Sequence, residues 1–247
     1  MTDPAPQMID RSDGVRLAFH RTKGEGPGLV FLPGYASDMT GGKALAVEGW
    51  AKAAGRGCLR FDYSGCGASE GEFADGSIDR WRDDALLMID ALTDGPQILV
   101  GSSMGGWIML LAALRRPERV AGLVGIAAAP DFTDWGFDEA DKLTLLRDGA
   151  LYRQSDYGPE PTLTTRTFWQ SGEVNRLLGG PIAIDAPVRL LHGQRDPDVP
   201  WHHSPHLARL LRSDDVQVTL IKDGDHRLSR DADIALLIAT IAAMPGS

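Results

Sequence analysis

Cysteine is scarce in this 247-residue chain, which carries only Cys58 and Cys66. Neither has a C-x-x-C partner or a metal-spaced neighbour, so a disulfide framework and a cysteine metal site are excluded. Reduced thiols in a cytoplasmic compartment are the expectation. Basic charge is also short: 25 Lys and Arg stand against 34 Asp and Glu, a net −9. That is the wrong sign for a nucleic-acid or anionic-membrane surface, because a phosphate backbone needs a basic footprint. No apolar run approaches the roughly 18 residues of a spanning helix. The opening MTDPAPQMIDRSDG has neither a basic n-region nor an apolar h-region, so no secretory signal is expected. P-loop, H-E-x-x-H and EF-hand patterns are missing, and neither a cofactor nor a metal is expected. Gly65-Cys66-Gly67-Ala68-Ser69-Glu70 begins like a dinucleotide fingerprint, but Glu70 replaces the third glycine and would oppose a pyrophosphate.

Short apolar stretches alternate with helical patterns along the whole chain. This succession predicts a single α/β domain over 1–247, with a mostly parallel sheet and helices on both faces. Asp13-Gly14 between two apolar stretches predicts an opening antiparallel hairpin. Strands are expected at 29–32, 59–61, 97–100, 120–127, 188–191 and 216–221, and helices at 43–54, 78–92, 104–115, 205–212 and 231–244. From about 131 to 185 the rhythm breaks. Trp135, Phe137, Tyr152, Tyr157 and Trp169 mix with prolines, glycines and charges, which reads as a short lid insertion over the sheet.

Ser103 lies in Gly101-Ser102-Ser103-Met104-Gly105, after one apolar run and before another. A G-x-S-x-G on a strand-to-helix turn is a nucleophile elbow, where flanking side chains would collide with strand or helix. Acyl transfer needs a base for that serine, a carboxylate to orient the base, and donors for the oxyanion. In the elbow architecture the acid and base follow in chain order on loops after later strands. Asp196 fits the acid in His192-Gly193-Gln194-Arg195-Asp196-Pro197-Asp198-Val199-Pro200, with Asp198 a neighbouring alternative. His226 fits the base in Asp223-Gly224-Asp225-His226. The other histidines stand elsewhere: His20 in the opening strands, His192 in a strand, and His202, His203 and His206 at a helix start. The backbone N–H groups of Met104 and Tyr35 are the expected oxyanion donors. Trp135, Phe137 and Trp169, with Leu143, Leu177 and Leu178, are expected either to form a greasy acyl pocket or to pack the lid onto the body.

FLPGYASDMTGGKA (31–44), LRFDYSGCGASEG (59–71), GPQILVGSSMGGW (95–107), VRLLHGQRDPDVPWH (188–202) and DHR (225–227) resemble one branch of the α/β-hydrolases. It is the branch of the alpha/beta hydrolase domain-containing protein 10 family, mitochondrial palmitoyl-protein thioesterases that also cleave acyl glucuronides. The resemblance implies the α/β-hydrolase fold and a serine esterase or thioesterase, with Ser103 as nucleophile, Asp196 as acid and His226 as base. It also implies Tyr35 and Met104 at the oxyanion hole. No organelle-targeting leader is evident, so a cytoplasmic homologue is expected. The expected partner is a small-molecule ester or thioester, or an acylated protein, and the expected state a monomer or weak homodimer. Two other readings are a carbon–carbon bond hydrolase or peroxidase on the same triad, and a non-catalytic ligand-binding or scaffold member. Scaffold members usually lose a triad residue, and this chain has all three.

Overall fold

The computed structural model describes residues 4–154 and 161–244; Tyr157 lies outside them. Asp13-Gly14 turns β1 (Gln7–Asp10) into β2 (Arg16–Thr22), its glycine at φ +86°. These strands form the antiparallel edge of an eight-stranded sheet. β2 pairs antiparallel with β4 (Arg56–Phe61), and the rest of the sheet is parallel: β4, β3 (Glu25–Leu32), β5 (Gln97–Ser102), β6 (Val120–Ile126), β9 (Val188–Gly193) and β10 (Val216–Ile221) in spatial order. From β3 the chain first moves outward to β4, then returns to place β5 on the other side. The strand order therefore reverses at β3 and β5, and ligands of open α/β sheets bind beyond the carboxyl ends of strands at such a point.

Period-two alternation divides β3 between two cores. Leu29 and Phe31 join Val47 of α1 (Gly42–Ala53) and Leu237 and Ile241 of α8 (Asp231–Ala242). Val30 and Leu32 join Trp81 of α2 (Ile78–Leu92) and Trp107 of α3 (Met104–Arg115). Helices thus cover both faces, as the alternation predicts. Burial on both faces explains why these strands read as continuous apolar runs. α2 starts where expected because Ser77 caps it, its side chain accepting from Arg80 N–H at 3.1 Å. α7 (His203–Leu210) starts two residues earlier than the 205 expected from Pro205. The proline occupies the third helical position, where an N–H has no intrahelical acceptor to lose.

Between β6 and β9 the chain forms α4 (Phe132–Trp135), α5 (Glu139–Asp148), an antiparallel hairpin of β7 (Ala150–Arg153) and β8 (Thr162–Thr165), and α6 (Arg166–Val174). The hairpin was not legible in the sequence: its four-residue strands are too short to show alternation. Asp131 pins this segment at both ends. It takes a left-handed φ of 59° and is 2% exposed, and its carboxylate accepts the N–H groups of Leu177 and Leu178 at 2.7 Å each. Burial raises its pKa, opposed by those two hydrogen bonds. No helix among the described residues is long and apolar enough to cross a membrane.

Candidate active site

Ser103 joins β5 to α3 with φ 53° and ψ −120°. A non-glycine residue here costs about 1–3 kcal/mol and persists only where its surroundings over-determine it. They do: the Ser103 N–H donates to Ile126 O at 2.9 Å, and its carbonyl accepts from Ala129 N–H at 3.1 Å. The neighbouring glycines are obligatory. A Cβ on Gly105 would lie 2.1 Å from Leu32 O, and one on Gly101 would lie 2.4 Å from Gly105 O.

His226 comes from the loop after β10, and its Nδ1 lies 2.8 Å from Asp196 Oδ2. An acceptor there fixes the proton on Nδ1. Nε2 is then free to accept the Ser103 hydroxyl, whose Oγ lies 3.1 Å away. Asp196, from the loop after β9, has a fully buried side chain. Its Oδ1 accepts the N–H groups of Asp198 at 2.9 Å and Val199 at 2.8 Å. Burial by itself raises the carboxyl pKa, but hydrogen bonds from His192 and His226 outweigh it and hold the group well below the usual carboxylate range. Asp198 serves Asp196 through its main chain, while its side chain lines the adjacent cavity.

In the sequence His192 reads as a strand residue with no role at the site. It is fully buried, and its Nε2 faces two acceptors, Val199 O at 3.0 Å and Asp196 Oδ2 at 3.2 Å. The proton therefore sits on Nε2, and Nδ1 accepts from the Ser204 hydroxyl at 2.7 Å. The spacing His192-Gly-x-x-Asp196 was the available signal: a residue ending a strand and one on its following loop are within reach of each other.

The loop after β3 passes against the elbow. A Cβ on Gly34 would lie 3.4 Å from Ser103 Cβ and 3.3 Å from Ser102 O, so Tyr35 follows directly beside the serine. Met104 opens α3, and neither its N–H nor that of Tyr35 has a backbone acceptor among the described residues. The α3 N-terminus also places a favourable dipole near the Ser103 oxygen.

A cavity of about 690 Å³ opens over Ser103 and His226. Tyr35, Phe132, Trp135 and Phe137 form an aromatic wall. Asp38, Lys43 and Arg227 line it as polar groups, and burial lowers the pKa of Lys43. Of the residues expected either to form an acyl pocket or to pack the lid onto the body, Trp135 and Phe137 line this cavity, and the expectation is corrected for Trp169. Trp169 does not line this cavity; its indole N–H donates to Thr133 O at 3.1 Å inside the inserted segment. Leu143 is 66% exposed, and Leu177 and Leu178 pack against the core. Sequence distinguishes an inward from an outward side chain, not which of several interiors receives it. A smaller cavity of about 350 Å³, lined by Gly28, Gly57 and Gln97, lies at the other end of the strands. Among the described residues, Asp196, Asp198 and His226 bring possible metal-ligand atoms within 4.8 Å of one another, but two of these groups already satisfy each other by hydrogen bonding.

Residues 27–142 match the family described as alpha/beta hydrolase fold. The chain is 45% identical over 238 residues to the human protein named "Palmitoyl-protein thioesterase ABHD10, mitochondrial", covering 95% of this chain and 78% of that one. Among solved structures, mouse alpha/beta hydrolase domain-containing protein 10 superposes with a TM-score of 0.90 at 43% identity, covering 96% of this chain and 97% of that one. A putative hydrolase from Agrobacterium vitis S4 superposes with a TM-score of 0.92 at 41% identity, covering 98% and 99%. The relatives' mitochondrial designation overturns the cytoplasmic expectation. Reduced thiols were one ground for that expectation, and buried cysteines do not discriminate between reducing compartments. Cys58 and Cys66 are both buried, which pushes each thiol up to about 12.

Proposed function

The chain belongs to the α/β-hydrolase family that includes the ABHD10 thioesterases, and from that premise we propose that it cleaves acyl esters and thioesters through an acyl-Ser103 intermediate. The observation that carries this reading is the unbroken hydrogen-bond chain from Ser103 through His226 to Asp196, at 3.1 and 2.8 Å. As Ser103 Oγ bonds to the acyl carbon, its proton passes to His226 Nε2. Asp196 holds the imidazole in the required tautomer and stabilises the imidazolium. The carbonyl electrons move onto oxygen, where the N–H groups of Tyr35 and Met104 receive the charge. His226 then returns the proton to the departing alcohol or thiol. Water, deprotonated by the same imidazole, bonds to the acyl carbon; the bond to Ser103 Oγ then breaks, Oγ takes the proton back from His226, and the acyl group leaves as a carboxylic acid.

The cavity supports a division of the substrate. The wall of Phe132, Trp135 and Phe137 suits the acyl group, and the side with Asp38, Lys43 and Arg227 suits a polar leaving portion. In this reading 1–247 is one domain and 131–185 is its lid. The relatives' name supports an acylated protein as one substrate class. The test is labelling by a fluorophosphonate, together with turnover of p-nitrophenyl esters and acyl-CoA thioesters. Labelling at Ser103 and its loss in Ser103→Ala are expected; turnover undiminished in Ser103→Ala would refute the proposal.

A further inference from the structure

Beyond its main-chain N–H and its place in the cavity wall, the Tyr35 side chain joins two parts of the molecule. Its ring centroid lies 5.3 Å from that of Phe73 and 5.8 Å from that of Trp81, both in the body. It lies 4.7 Å from Phe168 and 5.9 Å from Phe132, both in the inserted segment. The phenol donates to Leu163 O of β8 at 2.5 Å. Burial pushes the phenol pKa upward, so the group stays a neutral donor. The main chain of the same loop presses on the elbow at Gly34. The next residue, Ala36, is held at φ 52°, a conformation that relaxes unless its surroundings fix it.

We propose that the Tyr35 side chain is a positioning residue that ties the oxyanion loop to β8, so that the seating of the inserted segment sets where the Tyr35 N–H points. This rests on the serine-hydrolase reading and goes beyond it: the aromatic wall and the oxyanion donor become one mechanical unit. The dependence follows from chemistry at the site. An oxyanion donor acts only if it lies within hydrogen-bond reach of the oxygen as charge develops, and substrate binding uses that contact much less. Loosening the loop therefore lowers kcat while leaving KM nearly unchanged.

Tyr35→Phe keeps the ring in its aromatic seat and removes the phenol's hydrogen bonds to β8, with Leu163 O and the Thr164 side chain. The experiment measures kcat per fluorophosphonate-titrated site and KM on p-nitrophenyl acetate, together with the Ki of phenylboronic acid, whose tetrahedral adduct on Ser103 mimics the transition state. Expected are a roughly tenfold fall in kcat per titrated site, an unchanged KM and a Ki weakened by a similar factor, since complete loss of one such donor costs about 10²–10³. A purely structural role would lower the titratable fraction but not kcat per site. Phe168→Leu, which loosens the seat but leaves the hydroxyl, is the second variant, with a smaller parallel shift in kcat and Ki. If both variants keep kcat per site and Ki within twofold of wild type, the inference falls while the hydrolase reading stands. Wild-type protein that neither titrates nor turns over ester defeats the hydrolase reading itself.

Discussion

His192 and His226 share a single carboxylate oxygen: Asp196 Oδ2 takes His226 Nδ1 at 2.8 Å and His192 Nε2 at 3.2 Å. One histidine faces the serine and the other is sealed in the core, so the acid is held from both sides. Removing the sealed one leaves Asp196 short of a donor and Ser204 and Val199 O without their partner. His192→Ala is expected to lower stability by about 2–3 kcal/mol and kcat/KM by about tenfold or more, measured by urea unfolding and ester turnover. Unchanged kcat/KM would remove His192 from the orienting set.

Asp196 and Asp198 separate by role. Asp196→Asn is expected to cut kcat by about 10⁴, since an amide imposes the wrong imidazole tautomer. Asp198→Asn keeps the backbone N–H that serves Asp196 and is expected to retain activity within about threefold. The reverse order in a kcat comparison would reassign the acid.

The left-handed φ of Ser103 sets catalysis against stability. Ser103→Gly is expected to abolish ester turnover yet raise stability by about 1 kcal/mol, because glycine accepts this backbone conformation without strain. Ser103→Ala loses turnover without that gain. Thermal melts of the two variants side by side test the difference.

His203 stacks on Trp135 with ring centroids 4.4 Å apart. Burial, then the neighbouring His202, His206 and His192, lowers its pKa to about 4. Its folded value is below the unfolded value of about 6.5, so the unfolded state binds more protons between the two. Its contribution to stability is therefore complete above about pH 6.5 and is lost as pH falls toward about 4. His203→Phe keeps an aromatic stack but cannot protonate, so the fall in urea midpoint over that range is expected to flatten. An unaltered slope would assign the pH dependence to other groups.

The glycines around Ser103 and the order Ser103, Asp196, His226 were legible in the sequence because they are local: a turn that tolerates no Cβ must be written with glycine, and a loop after a strand announces itself by the end of an apolar run. The same is true of β3, where an uninterrupted Leu29-Val30-Phe31-Leu32 states burial on both faces. Other features required the chain to meet itself. His192 reads as one more buried strand residue until the loop after β9 folds back and turns its ring toward Asp196. Trp169 reads as pocket wall until α6 directs its indole to Thr133. Tyr35 reads as a loop aromatic until β8 brings the Leu163 carbonyl to its hydroxyl, across 128 residues of sequence. Amino-acid order encodes which positions are buried and which turns are tight, since these depend on each residue and its near neighbours. Which distant group completes a hydrogen bond depends on how sheet and insertion pack, and only the tertiary structure decided that.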